Sequence, residues 1–280
     1  MKAETPTFGL RMSNAKYHAH PALSRSKLFW LTRSPAYFRY RMDHPAQQTE
    51  ALIFGSVVHK MVLEPRFFSR EFVCAPESIN RRTNAGREEY AAFCAEAEAK
   101  HRTVIDRDLI PTASAMRDSV MGNRYARLLL DGAQVERSFF WTDEITGTKC
   151  KCRPDAINII GGTAYIIDLK TCQRADPRTF QKDALDYGYP LQTAMCRDGV
   201  RRETGLDCKF IFICVEKSPP HFTALYEADD LFLRYGEDQM RELLDLHHDC
   251  TVSGNWYGYG GPKEAVLPLS LPDYLAKAYL

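Results

Sequence analysis

No run of the 280 residues comes near the roughly 18 uninterrupted apolar positions that mark a membrane-crossing helix, so a bilayer span is not expected. Neither sign of charge is in excess: 37 Lys and Arg stand against 36 Asp and Glu, a net charge of +1. Bulk charge therefore supplies no argument for a nucleic-acid partner, and any such surface has to be concentrated locally. Glycine (16) and proline (15) are not abundant and 45% of the chain is apolar, which excludes the collagen-like, low-complexity and disordered classes. The nine cysteines are odd in number and scattered from Cys74 to Cys250, and Met1 to Leu10 has no apolar h-region. The expectation is reduced thiols in a cytoplasm rather than a disulfide scaffold. Cys150 and Cys152 share a strand face but find no second close-spaced pair, so neither zinc nor an iron–sulfur cluster is expected. There is no internal repeat.

Charge is uneven along the chain. Between Ser24 and Arg41 lie Arg25, Lys27, Arg33, Arg39 and Arg41 with no acid, interleaved with Phe29, Trp30, Tyr37, Phe38 and Tyr40. That mixture suits a phosphate backbone and exposed bases, with Arg25 and Lys27 as phosphate partners. It equally suits a surface helix whose arginines lie over core aromatics. Asp229 to Asp249 carries seven acids against Arg234 and Arg241 on an amphipathic helical pattern.

The pattern predicts helices from Ser24 or Ser26 towards Arg41 (interrupted at Ser34-Pro35), from Ala51 to Leu63, from Arg81 to Lys100 and from Pro111 to Leu130. Its character then changes to β-rich runs: Val135 to Trp141, Lys149 to Ile160 and Thr163 to Thr171. A helical segment from about Pro177 to Glu203, a buried strand (Lys209 to Val215), an edge strand (Phe222 to Tyr226) and the acidic helix follow. This is a mixed α/β plan. It is read as one domain over 1–280, with a helical part at about 20–132, a sheet with flanking helices at about 133–252 and a tail at 253–280.

Gly161-Gly162 is a two-residue hairpin signal, and such a loop sets the register of the strands it joins. In that register Asp155 faces Asp168. Directly opposed carboxylates repel, and a divalent cation held by both offsets the repulsion. Lys170 lies two residues past Asp168 and so on the same strand face. A surface ladder of Asp168, Lys170 and Arg153 is the plain alternative, but Ile166-Ile167 mark a partly buried strand where unpaired charge is expensive. Gly55 and His59 lie one helical turn apart, and a neutral imidazole there can complete a Mg²⁺ or Mn²⁺ site if that helix packs beside the hairpin, with Gly55 allowing close contact. Glu136 opens a strand and could reach a metal-bound water. Glu64, next to Pro65, reads as a helix-terminus residue.

Arg153-Pro154-Asp155 followed by Asp168-Leu169-Lys170 has the form of the PD-(D/E)XK nuclease motif. With Leu23-Ser24-Arg25-Ser26, Phe54-Gly55-Ser56-Val57-Val58-His59, Ile167-Asp168-Leu169-Lys170-Thr171, and Tyr189 with Gln192, the chain resembles the RecE-type exonucleases (exodeoxyribonuclease VIII) and their RecB and Cas4 relatives. The resemblance implies an α/β restriction-endonuclease-like core, a mixed central sheet flanked by helices with a helical N-terminal region. It implies a Mg²⁺-dependent exonuclease, with Mn²⁺ able to substitute, that digests one strand of linear duplex DNA from its 5′ end to leave 3′ overhangs for recombination and repair. His59, Asp155, Asp168 and the Leu169 carbonyl would bind metal. Lys170 would be catalytic, with Gln192 and Glu136 assisting, and Arg25, Lys27, Arg153 and Tyr189 would contact DNA. The family's Q-x-x-x-Y tyrosine is Cys196 here, which leaves Tyr189 as its stand-in. A single-strand annealing partner, a ring-shaped homo-oligomer such as a tetramer and a phage or prophage origin are further implications. The alternatives are a single-strand nuclease or endonuclease of the same fold, or a DNA-end-binding protein without hydrolysis.

Overall fold

The computed structural model describes residues 8–45, 49–272 and 276–277; most of the Met1 to Leu10 stretch and parts of the C-terminal tail lie outside them. The chain opens with β1 (Leu10–Arg11), α1 (Asn14–Ala19), α2 (Arg25–Phe29), a single 3-10 turn and α3 (Pro35–Asp43). Next come α4 (Glu50–Leu63), α5 (Phe68–Glu71), β2 (Phe72–Cys74), α6 (Asn84–Ala99), β3 (Thr103–Ile105), α7 (Leu109–Gly122) and α8 (Arg124–Leu130). The second half runs β4 (Gln134–Val135), β5 (Arg137–Thr142), β6 (Lys149–Cys152), β7 (Ala156–Ile160), β8 (Thr163–Cys172), α9 (Pro177–Asp186), α10 (Tyr189–Thr204), β9 (Cys208–Glu216), β10 (Thr223–Glu227) and α11 (Asp230–Ser253).

The central sheet has the order β10-β9-β8-β7-β4 and is mixed, because β8 and β9 run parallel while the other pairs are antiparallel. α10 and α9 are the chain between β8 and β9, as a parallel crossover requires. One face of the sheet (Ile167, Leu169, Ile211, Ile213, Val215) is buried against Val57, Val58 and Met61 of α4, Met116 and Val120 of α7 and Leu129 of α8. The other (Ile166, Cys172, Phe210, Phe212, Cys214) packs on Phe180 of α9 and Cys196 and Val200 of α10. Outside α10, α2 and α11 close a third cluster around Leu28, Leu191, Met195, Leu243 and Leu244. The strands of the sheet centre are therefore apolar on both sides, as expected for a sheet covered by helices twice.

Two expected single strands are each broken. The run read as Val135 to Trp141 splits into β4 and β5 at Glu136, whose φ is +53°, and the run read as Lys149 to Ile160 splits into β6 and β7 at Arg153-Pro154-Asp155. The two breaks face each other, with the Glu136 N–H donating to the Asp155 carbonyl at 3.0 Å. The ribbon thus bends from a small β1-β5-β6 sheet into the central one without losing register. Proline cannot donate to a ladder, and an αL residue kinks its strand, so the bend sits where both occur. The helix read as Pro111 to Leu130 is likewise two, because the Asn123 side chain accepts the N–H groups of Tyr125 and Ala126 and starts α8. The β2–β3 parallel pair has no counterpart in the sequence reading.

The N-terminal segment is held to the sheet by a buried cation. Lys151 of β6 is 1% exposed, and its ammonium donates to the carbonyls of Tyr17 and His20 while standing 4.5 Å from the Tyr17 ring centroid. Burial above all, then the neighbouring Lys27 and Arg153 charges, lowers its pKa from 10.5 to about 8. The unfolded chain then holds the extra proton between about pH 8 and 10, so stability from this residue rises with pH across that window. In urea denaturation the stability difference between wild type and Lys151→Met should shift in favour of wild type by roughly 1–3 kcal/mol from pH 8 to pH 10. A difference that stays flat with pH would contradict the buried ammonium.

Candidate active site

The β7–β8 hairpin pairs from Ala156 opposite Ile167 to Ile160 opposite Thr163, and both glycines of its loop have positive φ, 59° and 83°. The expected register is the observed one, and it carries Asp155, one residue before β7, opposite Asp168. Since the ladder ends at Ala156, the Leu169 N–H is taken instead by the Asp155 carboxylate, at 2.7 Å. The bent ribbon adds a carboxylate the hairpin argument does not place: β4 and β5 keep one register against β7 and β6, and in it Glu136 opposes Asp155. Glu136, Asp155 and Asp168 thus stand in a row across three adjacent strands.

Asp168 is 2% exposed. Its Oδ2 lies 2.6 Å from the Lys170 ammonium and has no other hydrogen-bonding partner, while its Oδ1 accepts from the Gln192 amide at the start of α10. Gln192 Oε1 in turn accepts from Lys170 at 3.1 Å and from Arg25 at 3.3 Å. Cations only donate and carboxylates only accept, so the amide has one orientation compatible with these neighbours. Lys170 is also 4.4 Å from the centroid of the Tyr189 ring. On the other side α4 brings His59 Nδ1 to 3.3 Å from Asp155 Oδ2. Gly55 is not what permits this approach, because a Cβ there would meet Thr171 Oγ1 at an ordinary 3.7 Å.

Electrostatics follow from crowding acids in a half-dry place. Burial, then the Asp168 charge, pushes the Asp155 carboxyl up to about 8. Burial, then Asp155, pushes Glu136 up to about 7, with Arg153 opposing. Burial holds the His59 imidazole below its ordinary pKa and therefore neutral at pH 7. Of these groups Glu136 and His59 line an open cleft of about 770 Å³, whose walls also include Arg25, Phe29, Lys60, Lys170, Tyr187, Tyr189 and Lys217.

The donor set suits a hard divalent cation: opposed carboxylates whose protonation is forced upward, a buried oxygen of Asp168 met only by an ammonium, and a neutral imidazole. In the present arrangement the ligands have not closed around a point. Among the described residues no three His, Cys, Asp or Glu side chains converge as a ready chelate, because Asp168 faces Lys170 and Gln192 while His59 faces Asp155. Asp168 would have to turn one oxygen from Lys170 to serve as a ligand.

Other expected site residues are placed differently. Lys27 lies two positions from Arg25 on a helix, about 200° round the axis, and its charge acts on His18 and Lys151 rather than on the cleft. Arg153 does not line this cleft: its side chain is 7% exposed, bonded to Ser138, Asn14 and the Met12 carbonyl, stacked 4.1 Å over Tyr17, and borders an adjoining cavity. Within the basic aromatic segment Arg33 lies over Tyr37 and Arg41 over Trp30, the packed arrangement weighed above. Cys196 is buried beneath α10, whereas Tyr189 is beside Lys170, so the position seven residues earlier carries the aromatic ring. Glu64 caps the end of α4 and pairs with Lys60, which also meets Glu71 at 2.7 Å. Lys60 was legible only as the neighbour of His59, and nothing in the sequence pointed to Lys217.

The family profile of a PDDEXK-like domain of unknown function (DUF3799) matches residues 24–266. Among solved structures, a presumed exonuclease from Eubacterium rectale superposes with a TM-score of 0.60 at 14% identity, covering 97% of this chain and 100% of that one, a likeness of fold. An alkaline exonuclease from Laribacter hongkongensis is 18% identical, covering 68% of this chain and 97% of that one, but its TM-score of 0.26 carries no argument. No curated protein matches. A profile spanning most of the chain, over a mixed sheet that carries Pro154-Asp155 and Asp168-Leu169-Lys170 in register, places this protein in the PDDEXK-like DUF3799 family of the PD-(D/E)XK nuclease superfamily.

Proposed function

We propose that the protein is a divalent-cation-dependent deoxyribonuclease that acts as an exonuclease on linear duplex DNA. The observation that carries this reading is the Asp155–Asp168–Lys170 cluster, with His59 and Gln192 around it, which reaches the wall of an open cleft through Lys170 and His59. The finer reading, digestion from the 5′ end to leave 3′ overhangs for strand annealing, rests on the resemblance to RecE-type enzymes, as do an annealing partner and a ring-shaped homo-oligomer.

Asp155, Asp168, the Leu169 carbonyl and His59 would hold Mg²⁺ or Mn²⁺. When bound, the cation supplies Lewis-acid polarisation of the phosphate and a water of lowered pKa. The chain's own groups do the rest. Lys170, held by Asp168 and Gln192, faces the charge that develops on the phosphate or orients the attacking water. Gln192 couples Lys170 to Arg25 and keeps both cations at the same edge of the cleft. Glu136, which lines the cleft and is raised towards neutrality by burial and Asp155, would exchange a proton with water there.

Nucleic acid is the substrate class that the cleft's surroundings favour. A second cavity of about 830 Å³ shares Asn14, Ser56, Lys60, Glu64, Glu71 and Glu136 with the first, and its walls carry Arg11, Lys16 and Arg70. Among the described residues these three exposed cations have no acid partner, unlike Arg39, which pairs with Asp43. Unpaired cations along a cleft are free to release counterions from a phosphate backbone.

Lys170→Met should lower hydrolysis of end-labelled linear duplex, with 5′-phosphate or 5′-hydroxyl ends, by about 10²–10³-fold while Mn²⁺ still raises the thermal midpoint. Asp155→Asn should lose both responses. Full activity in either variant would overturn the site, and wild type that binds DNA without cutting it in Mg²⁺ or Mn²⁺ would favour the end-binding alternative.

Neutralising Arg11, Lys16 and Arg70 together should flatten the slope of log K against log salt by roughly 2–3 units, whereas Lys27→Ala should leave it unchanged. An altered slope in Lys27→Ala alone would return the interface to the Ser24 to Arg41 segment.

A further inference from the structure

One exposed ring at the catalytic cleft has no part in the chemistry above. Tyr187 ends α9, is 58% exposed, and is the first residue of a Tyr187-Gly188-Tyr189 turn that leads into α10. The turn is rigid. Gly188 has φ +67°, and a Cβ there would lie 2.3 Å from the Phe29 ring, so the backbone rests directly on that ring. The Tyr187 carbonyl accepts a hydrogen bond from Arg25 at 3.2 Å. Tyr189 is stacked on Phe212 with centroids 5.5 Å apart, and its ring is the one next to Lys170. The Tyr187 ring stands 6.0 Å from the Tyr189 ring at an angle of 34°, and both line the cleft with Lys170 and Arg25.

We propose that Tyr187 is a nucleobase-stacking residue: its exposed ring takes the face of an unpaired base whose phosphate lies at Lys170 and Arg25. This rests on the nuclease reading and adds to it the substrate form, a strand whose bases at the site are unstacked from a partner strand. An exposed aromatic beside Arg25 and one ring away from Lys170 matches the alternation of base and phosphate in a single strand, and stacking there is tolerant of sequence because every base has a π face. In a paired duplex the base faces are covered by their neighbours, so the duplex end has to open for the ring to be used. Tyr187 is thereby a positioning residue, and its hydroxyl has no part in the stack.

The test uses the full chain and single-stranded DNA oligonucleotides in EDTA, where hydrolysis does not interfere. Tyr187→Ala should weaken affinity by between about five- and a hundredfold, and Tyr187→Phe should keep wild-type affinity. Moving a single abasic nucleotide along the oligonucleotide should reveal one position at which wild type loses the same factor and Tyr187→Ala loses nothing more. Equal affinity of Tyr187→Ala and wild type for base-bearing strands, or full additivity of the variant and the abasic site at every position, would overturn the proposal. So would a Tyr187→Ala effect confined to self-association. Wild type that binds strands with these dependences yet cuts none in Mg²⁺ or Mn²⁺ would overturn the nuclease reading and leave the stacking site standing.

Discussion

Mutual repulsion of carboxylates is the constraint around which the site is arranged. Two β registers line up Glu136, Asp155 and Asp168 across adjacent strands, in surroundings dry enough to force the first two towards neutrality. A fold selected for stability alone would not place like charges opposite one another. Each acid is accordingly given a donor: Arg153 for Glu136, the Leu169 N–H for Asp155, and Lys170 with Gln192 for Asp168. These donors come from β8, α10 and the bend of the ribbon, so the acids and the elements that tolerate them are inseparable.

The surrounding architecture serves that arrangement. The Gly161-Gly162 loop holds one register, the paired breaks at Glu136 and Pro154-Asp155 turn the ribbon so that Asp155 leaves the ladder, and the β8–α10–β9 crossover delivers Gln192 over Asp168. α4 packs on the opposite face of the sheet through Val57, Val58 and Met61 and so presents His59 beside Asp155, one residue before β7. The N-terminal segment is pinned from below by Lys151 and Arg153, whose charges are spent on its carbonyls and on the Tyr17 ring. Their basic character therefore contributes to holding the chain together.

Much of the centre was legible because it is local. A two-residue glycine loop leaves one register, so the opposition of Asp155 and Asp168 and the shared face of Lys170 could be derived before any coordinates. The approach of His59 was stated as a condition, and the packing of α4 meets it, though not through Gly55. What escaped was non-local. The turn between β5 and β6 spans Asp143 to Thr148 and sets no unique register in sequence, so the row of three acids was invisible until the ribbon folded. Arg25 and Lys27 were grouped by proximity in sequence, which a helix separates to different faces. The unpaired cations Arg11, Lys16 and Arg70 come from β1, α1 and α5 and meet only in three dimensions.

The claim that the opposed acids form a cation centre is most directly measured by anomalous diffraction from crystals of the wild-type chain grown in Mn²⁺. The account predicts a peak bounded by the carboxylates of Asp155 and Asp168 and the Leu169 carbonyl, with Asp168 turned from Lys170, and loss of that peak in Asp155→Asn. A map with no peak between the two acids at saturating Mn²⁺, in crystals whose cleft is open to solvent, would contradict it.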